Sequence, residues 1–235
     1  MRAFELFENG ELPEAEKSAL EAMAMTTEDS EQSLTDYGLI LLDSIWMKGE
    51  SYGRAIEFYT DFIRSHPNEP LAFQYRADHY WYDAQPEQAL KDCSRALEFN
   101  PEDPGNLLGR GQVFVELGKP NEAIVDLQEA LTILHKDTQD PSSNPSESIA
   151  YTRNGLGAAS ALLGDFSGAL REFGLSIALQ PENGWVYFNR AKALEQMGET
   201  SKALADYKKS LACENPKLTP HKRAYAESRI GQLTS

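Results

Sequence analysis

ALKDCSRALEFNPEDP, residues 89–104, is the stretch on which the reading of the whole chain turns. Cys93 stands between Asp92 and Ser94, which suits a small reactive thiol site. Ala89, Ala96 and Pro101 suit something else, a helix with a small-residue face and a proline just beyond its end. Recurrence decides between the two. An alanine followed four residues later by a bulky or apolar residue returns at Ala15, Ala55, Ala89, Ala123, Ala169 and Ala203, at intervals of 40, 34, 34, 46 and 34 residues. Three equal intervals in a short chain mark a repeated unit, and the two longer ones mark insertions.

The other positions keep the same register. A small residue precedes each such alanine as Ala3, Ala77, Gly111, Gly157 and Ala191, with Asp43 the exception. A turn glycine stands at Gly10, Gly118, Gly164 and Gly198. The bulky position is Tyr59, Cys93, Leu127, Phe173 and Tyr207. A closing proline is Pro67, Pro101 and Pro181, with Pro216 one place late and His135 and Thr27 in its stead elsewhere. On these residues the chain resembles the tetratricopeptide repeat (TPR) family, whose unit is a helix-turn-helix of 34 residues carrying small, bulky and proline positions in this order.

The resemblance implies an all-α fold, a right-handed α-solenoid of about six helix-turn-helix units with a C-terminal capping helix. The expected units are 1–29, 36–69, 70–103, 104–137, 150–183 and 184–217, in a single domain over 1–235. Residues 138–149, within a Pro-, Ser- and Asn-rich stretch, form an inserted loop, and 218–235, with Thr219 and Pro220 as a helix start, form the cap. A cap of this kind covers the apolar face that the last unit leaves open. In this register Cys93 is a buried small hydrophobe, and Asp92 and Ser94 turn toward solvent.

Composition narrows the partners. The formal net charge of −15 opposes phosphate backbones, so nucleic acid is not expected as a ligand. No apolar run reaches the length of a membrane span, and the acidic start is unlike a signal peptide, so the expected location is cytoplasmic. Cys93 and Cys213 lie far apart, with no Cys-x-x-Cys or histidine at ligand spacing, so no metal site and no cofactor are expected. His66, His79, His135 and His221 match no catalytic spacing, and the glycines of 109–111 and 155–157 serve the repeat, not a phosphate loop. No enzyme is expected.

The family's first helices line a concave groove that receives protein segments. Carried over residue by residue, the resemblance places Tyr37, Gln74, Asp78, Trp81, Gln112, Asn154, Trp185, Phe188, Asn189 and Lys192 in that groove as peptide-binding candidates. Aromatic rings would anchor a ligand there and amides would hold its backbone. The expected function is an adaptor or scaffold for a protein or peptide ligand. The alternative is a self-assembling subunit, a homo-oligomer joined through apolar end surfaces near Phe4 and Phe7. A co-chaperone-like carboxylate clamp is matched only by Asn189 and by Lys222 with Arg223, while Asn154 and Ala158 stand where lysine and asparagine are wanted.

Overall fold

The fold rests on one packing rule, a small residue on most first helices, with Asp43 the exception, facing the second helix. In the computed structural model, which describes residues 2–24, 32–137, 144–214 and 218–234, a Cβ added at Gly157 would lie 2.7 Å from the Phe173 ring. One added at Gly111 would lie 2.6 Å from Leu127. The backbones therefore approach as closely as the large side chain allows, and only glycine or alanine fits opposite it.

Among the described residues there are thirteen helices and no strand. They are α1 Arg2–Glu8, α2 Leu12–Ala24, α3 Gln32–Lys48, α4 Tyr52–Ser65, α5 Pro70–Tyr82, α6 Pro86–Phe99, α7 Pro104–Glu116, α8 Pro120–Asp137, α9 Ser146–Leu162, α10 Phe166–Leu179, α11 Gly184–Gln196, α12 Thr200–Ala212 and α13 Pro220–Thr234. The chain groups into two compact units, Met1–Phe99 and Asn100–Ser235.

Local chemistry sets the helix ends. Pro70 and Pro104 open α5 and α7, where a missing N–H removes no helical bond. The Glu69 and Asp103 carboxylates accept from the backbone N–H of Leu71 and Asn106 at 3.3 and 2.7 Å. Neither position 36 nor position 150 carries such a proline, and α3 and α9 start a turn earlier than the repeat register predicts, at Gln32 and Ser146. The last residues of the expected loop, 146–149, are thus helical. Its residues 138–143, and the closing-proline positions Thr27 and Pro216, lie outside the described residues. Between paired helices the chain passes through the left-handed region, at Gly118 with φ 67° and Gly198 with φ 77°. Ala84 (φ 57°) and Glu50 (φ 51°) take the same place without glycine's freedom.

In the unit Met1–Phe99 the core is aromatic. Trp46 and Tyr59 are buried, their ring centroids 5.7 Å apart, and Tyr59 also stacks on His79 at 5.9 Å. In the unit Asn100–Ser235 the core is Leu127 with Leu156, then Phe173 with Val186 and Ala193. Cys93 and Cys213 are both buried free thiols.

A polar layer runs beside these cores that the repeat pattern did not announce. Arg76 grips Asp92 with two hydrogen bonds of 2.6 and 2.8 Å, and Arg110–Asp126 and Arg190–Asp206 repeat the arrangement at the same two distances. Each pair is 16 residues apart, first helix to second. Arg153 and Glu172 are a longer version at 2.9 Å. Asp92 is therefore buried and paired, not turned toward solvent as expected, because the aspartate one residue before the bulky position faces the partner helix.

Candidate functional site

Two first-helix surfaces carry the sequence-predicted binding residues, one in each unit. In Met1–Phe99 the surface belongs to α3 and α5. Asp36, Ile40 and Asp43 share one face of α3 at helical spacing, with Tyr37 beside them. Tyr37 is 57% exposed and Ile40 46%, unusual for large apolar side chains so near a core. Gln74, Asp78 and Trp81, on α5, are partly buried.

The electrostatics of this surface start from Asp43. Where other units have glycine or alanine, the carboxylate of Asp43 stands beside the buried Tyr59 and takes His79 Nε2 at 3.0 Å. Burial, and then the Asp43 carboxylate, push the Asp78 carboxyl up to about 8. Burial also raises the Tyr75 phenol above its usual range, and the charges of Asp43, Asp78 and Asp36 add to it. Among the described residues no lysine or arginine forms a salt bridge with Asp43 or Asp78.

In Asn100–Ser235 the corresponding surface is already covered. A cleft of about 350 Å³ is bounded by Val115 and Glu116 of α7, Ala158 of α9, Phe188 and Lys192 of α11, and Lys222 and Tyr225 of α13. Lys222 is buried, its ammonium on the Glu116 carboxylate and 4.7 Å from the centre of the Trp185 ring. Burial lowers its pKa and Glu116 works in the opposite direction. Tyr225 stands edge-on to Phe188 at 5.8 Å, and Arg229 pairs with Glu195, which also accepts from the Tyr207 hydroxyl at 3.0 Å.

Several expectations change here. Trp185, 5% exposed, and Phe188, 4% exposed, are not open anchors, because α13 lies over them. Asn154 is buried, and its side-chain oxygen accepts from Asn189 Nδ2 at 3.0 Å, so the two amides hold each other. Lys192 is exposed and Gln112 partly buried. Lys222, half of the only basic pair available to a carboxylate clamp, is engaged by Glu116. Asp43, His79 and Tyr75 were missed; the signal was an aspartate in a slot that packing reserves for small residues. Among the described residues no three His, Cys, Asp or Glu side chains are placed to hold a metal ion, and no helix is long and apolar enough to cross a membrane.

The chain belongs to the tetratricopeptide repeat family, whose model matches residues 46–215, most of its length. It is similar to human "Tetratricopeptide repeat protein 16", 26% identical over 147 residues, which is 63% of this chain and 16% of that protein. The macaque (Macaca fascicularis) protein of the same name matches at 25% over the same shares. The chain thus spans about a sixth of the curated relatives it matches. Among solved structures, the Cut9–Hcn1 complex of the APC/C aligns with a TM-score of 0.71 at 17% identity, over 99% of this chain and 42% of that one. A tetratricopeptide repeat protein from Parabacteroides merdae aligns at 0.64 and 21%, over 99% and 88%. The pilus biogenesis factor PilW aligns at 0.60 and 21%, over 87% and 91%. These likenesses establish the fold, the all-α repeat class expected from the sequence. Proteins of this family generally mediate protein–protein interaction and scaffolding without catalysis.

Proposed function

We propose that the chain is a non-enzymatic adaptor that holds a segment of a partner protein against its first helices, with the α3/α5 surface as the open site. One observation carries this reading. Tyr37 and Ile40 stand exposed on a first helix, while the first-helix aromatics Trp185 and Phe188 are covered by the chain's own α13. Exposed aromatic and aliphatic side chains at the centre of a surface are the usual anchors of an interface. The family's general role agrees with it.

The test is capture from native lysate with the unmodified chain and with the Tyr37→Ala/Ile40→Ala double variant. Two anchors of this size should lower affinity by roughly tenfold or more. The exposed double variant Val125→Ala/Leu175→Ala is the control and should retain the partner. Equal retention by both double variants would sink the reading.

Self-assembly is the second reading, favoured by the exposed Phe4 ring on α1. The Phe7 ring beside it has Lys48 Nζ 4.5 Å above its centre, so one of the two expected apolar residues is already partly engaged. Light scattering separates the readings: a protein that stays monomeric at high concentration leaves only the adaptor.

A further inference from the structure

The unit Asn100–Ser235 contains its own example of what such a surface accepts. There a lysine ammonium, Lys222, is buried between the Glu116 carboxylate and the Trp185 ring, and the ring of Tyr225 on the same helix meets Phe188 edge-on. A buried lysine needs an anionic partner, and an aromatic face adds to its hold. The α3/α5 surface offers the same ingredients. Asp43, on the α3 face that also carries Asp36 and Ile40, reaches His79 Nε2 on α5 at 3.0 Å, Asp78 is the residue before His79, and Tyr37 and Ile40 are exposed on α3. No lysine or arginine among the described residues forms a salt bridge with Asp43 or Asp78. The chain's net charge of −15 adds a long-range attraction for a basic segment.

Resting on the reading that this surface holds a partner segment, we infer that it selects a segment bearing a lysine or arginine between apolar residues. The cationic head enters beside Asp43 and Asp78, and the apolar neighbours lie on Tyr37 and Ile40. Within the unit Met1–Phe99 the titratable groups near Asp43 and Asp78 are Tyr59 on α4 and Tyr75 and His79 on α5, with the Tyr52 ring 6.1 Å from that of His79. Burial holds the phenols of Tyr52, Tyr59 and Tyr75 above their usual range, so they stay neutral near pH 7. Asp78 behaves differently. With its carboxyl pushed up to about 8 it carries a proton at neutral pH, and an arriving cation displaces that proton. Binding therefore releases a proton and tightens as pH rises toward and past 8.

The experiment uses the full chain and a fluorescein-labelled nonapeptide with blocked ends and a central lysine flanked by leucine and alanine. Its counterparts carry acetyl-lysine or glutamate at the centre, and anisotropy reads the affinity. The lysine peptide should bind roughly tenfold or more tightly than either counterpart at pH 8, and about threefold or more weakly at pH 6 than at pH 8.5. Asp78→Asn should remove most of the lysine preference and flatten the pH dependence. Glu57→Gln, an equal change of charge at an exposed position of α4, should leave both intact. Circular dichroism confirms that each variant is folded. If lysine and acetyl-lysine peptides bind alike while Tyr37→Ala weakens both, the cation preference is wrong and the binding surface stands. If Tyr37→Ala changes neither, both are wrong. Equal losses in Glu57→Gln and Asp78→Asn would mean diffuse attraction and overturn the inference. So would no binding up to about 1 mM, or a dimer in light scattering that Tyr37→Ala abolishes, since a second copy would then occupy the surface.

Discussion

Phe173→Ala lowers the stability of the chain by about 4 kcal/mol. Phe173 is fully buried in the slot made by Gly157, with Ala169, Val186 and Ala193 around it. Truncating a buried phenylalanine removes its transfer free energy and leaves a cavity whose cost depends on how far the surroundings collapse. Here they collapse little, because Gly157 has no side chain and Ala169 and Ala193 have only a methyl each. The walls are helix backbones tied by their own hydrogen bonds. Urea unfolding followed by far-UV circular dichroism measures the loss. Leu175→Ala, at an exposed position of the same helix, should stay within about 0.5 kcal/mol. A Phe173→Ala loss below about 1 kcal/mol would contradict the close packing of α9 on α10.

Asp126→Ala costs about 2–3 kcal/mol, and most of that returns when Arg110→Met is added. Asp126 is 4% exposed and receives two hydrogen bonds from Arg110, whose side chain is about a quarter exposed. Removing the carboxylate takes both of these hydrogen bonds from a partly buried guanidinium, and the partial exposure keeps the loss below the range for fully buried pairs. Replacing both partners removes the partly buried charge as well. A double-mutant cycle by urea unfolding gives the coupling. A neutral Asp126→Ala, or a double variant no better than the single, would show that the pair contributes nothing. The same geometry at Arg76–Asp92 and Arg190–Asp206 extends the expectation to three units.

The repeat was legible because packing fixes it in the sequence. A helix pair that approaches across Gly157 or Gly111 admits only small residues there, and the large partner must recur at the same interval. The polar layer was equally periodic. Arg76 and Arg110 stand 34 residues apart, as do Asp92 and Asp126, but a search by apolar and small residues passes over charges. The repeat register sets unit bounds, not helix ends, and α3 and α9 begin four residues before the units at 36 and 150.

The binding surface was less legible, for a reason of geometry. A register position says which side of a helix a residue occupies and nothing of what later folds over that side. Trp185 and Phe188 occupy the expected side and are nevertheless buried, since α13 returns to cover them. Tyr37 occupies it and is open. Asp43 was noted only as a break in the pattern. In the folded chain that break places a carboxylate which, after burial, helps to push the Asp78 carboxyl up.

Site-specific photo-crosslinking tests the use of the α3 surface most directly. A benzophenone amino acid is placed at position 37, and in a second variant at position 125, which is equally open on the second helix α8. The expected result is covalent capture of the partner from position 37 and none from position 125. Capture from position 125 with position 37 silent would contradict binding on the first helices.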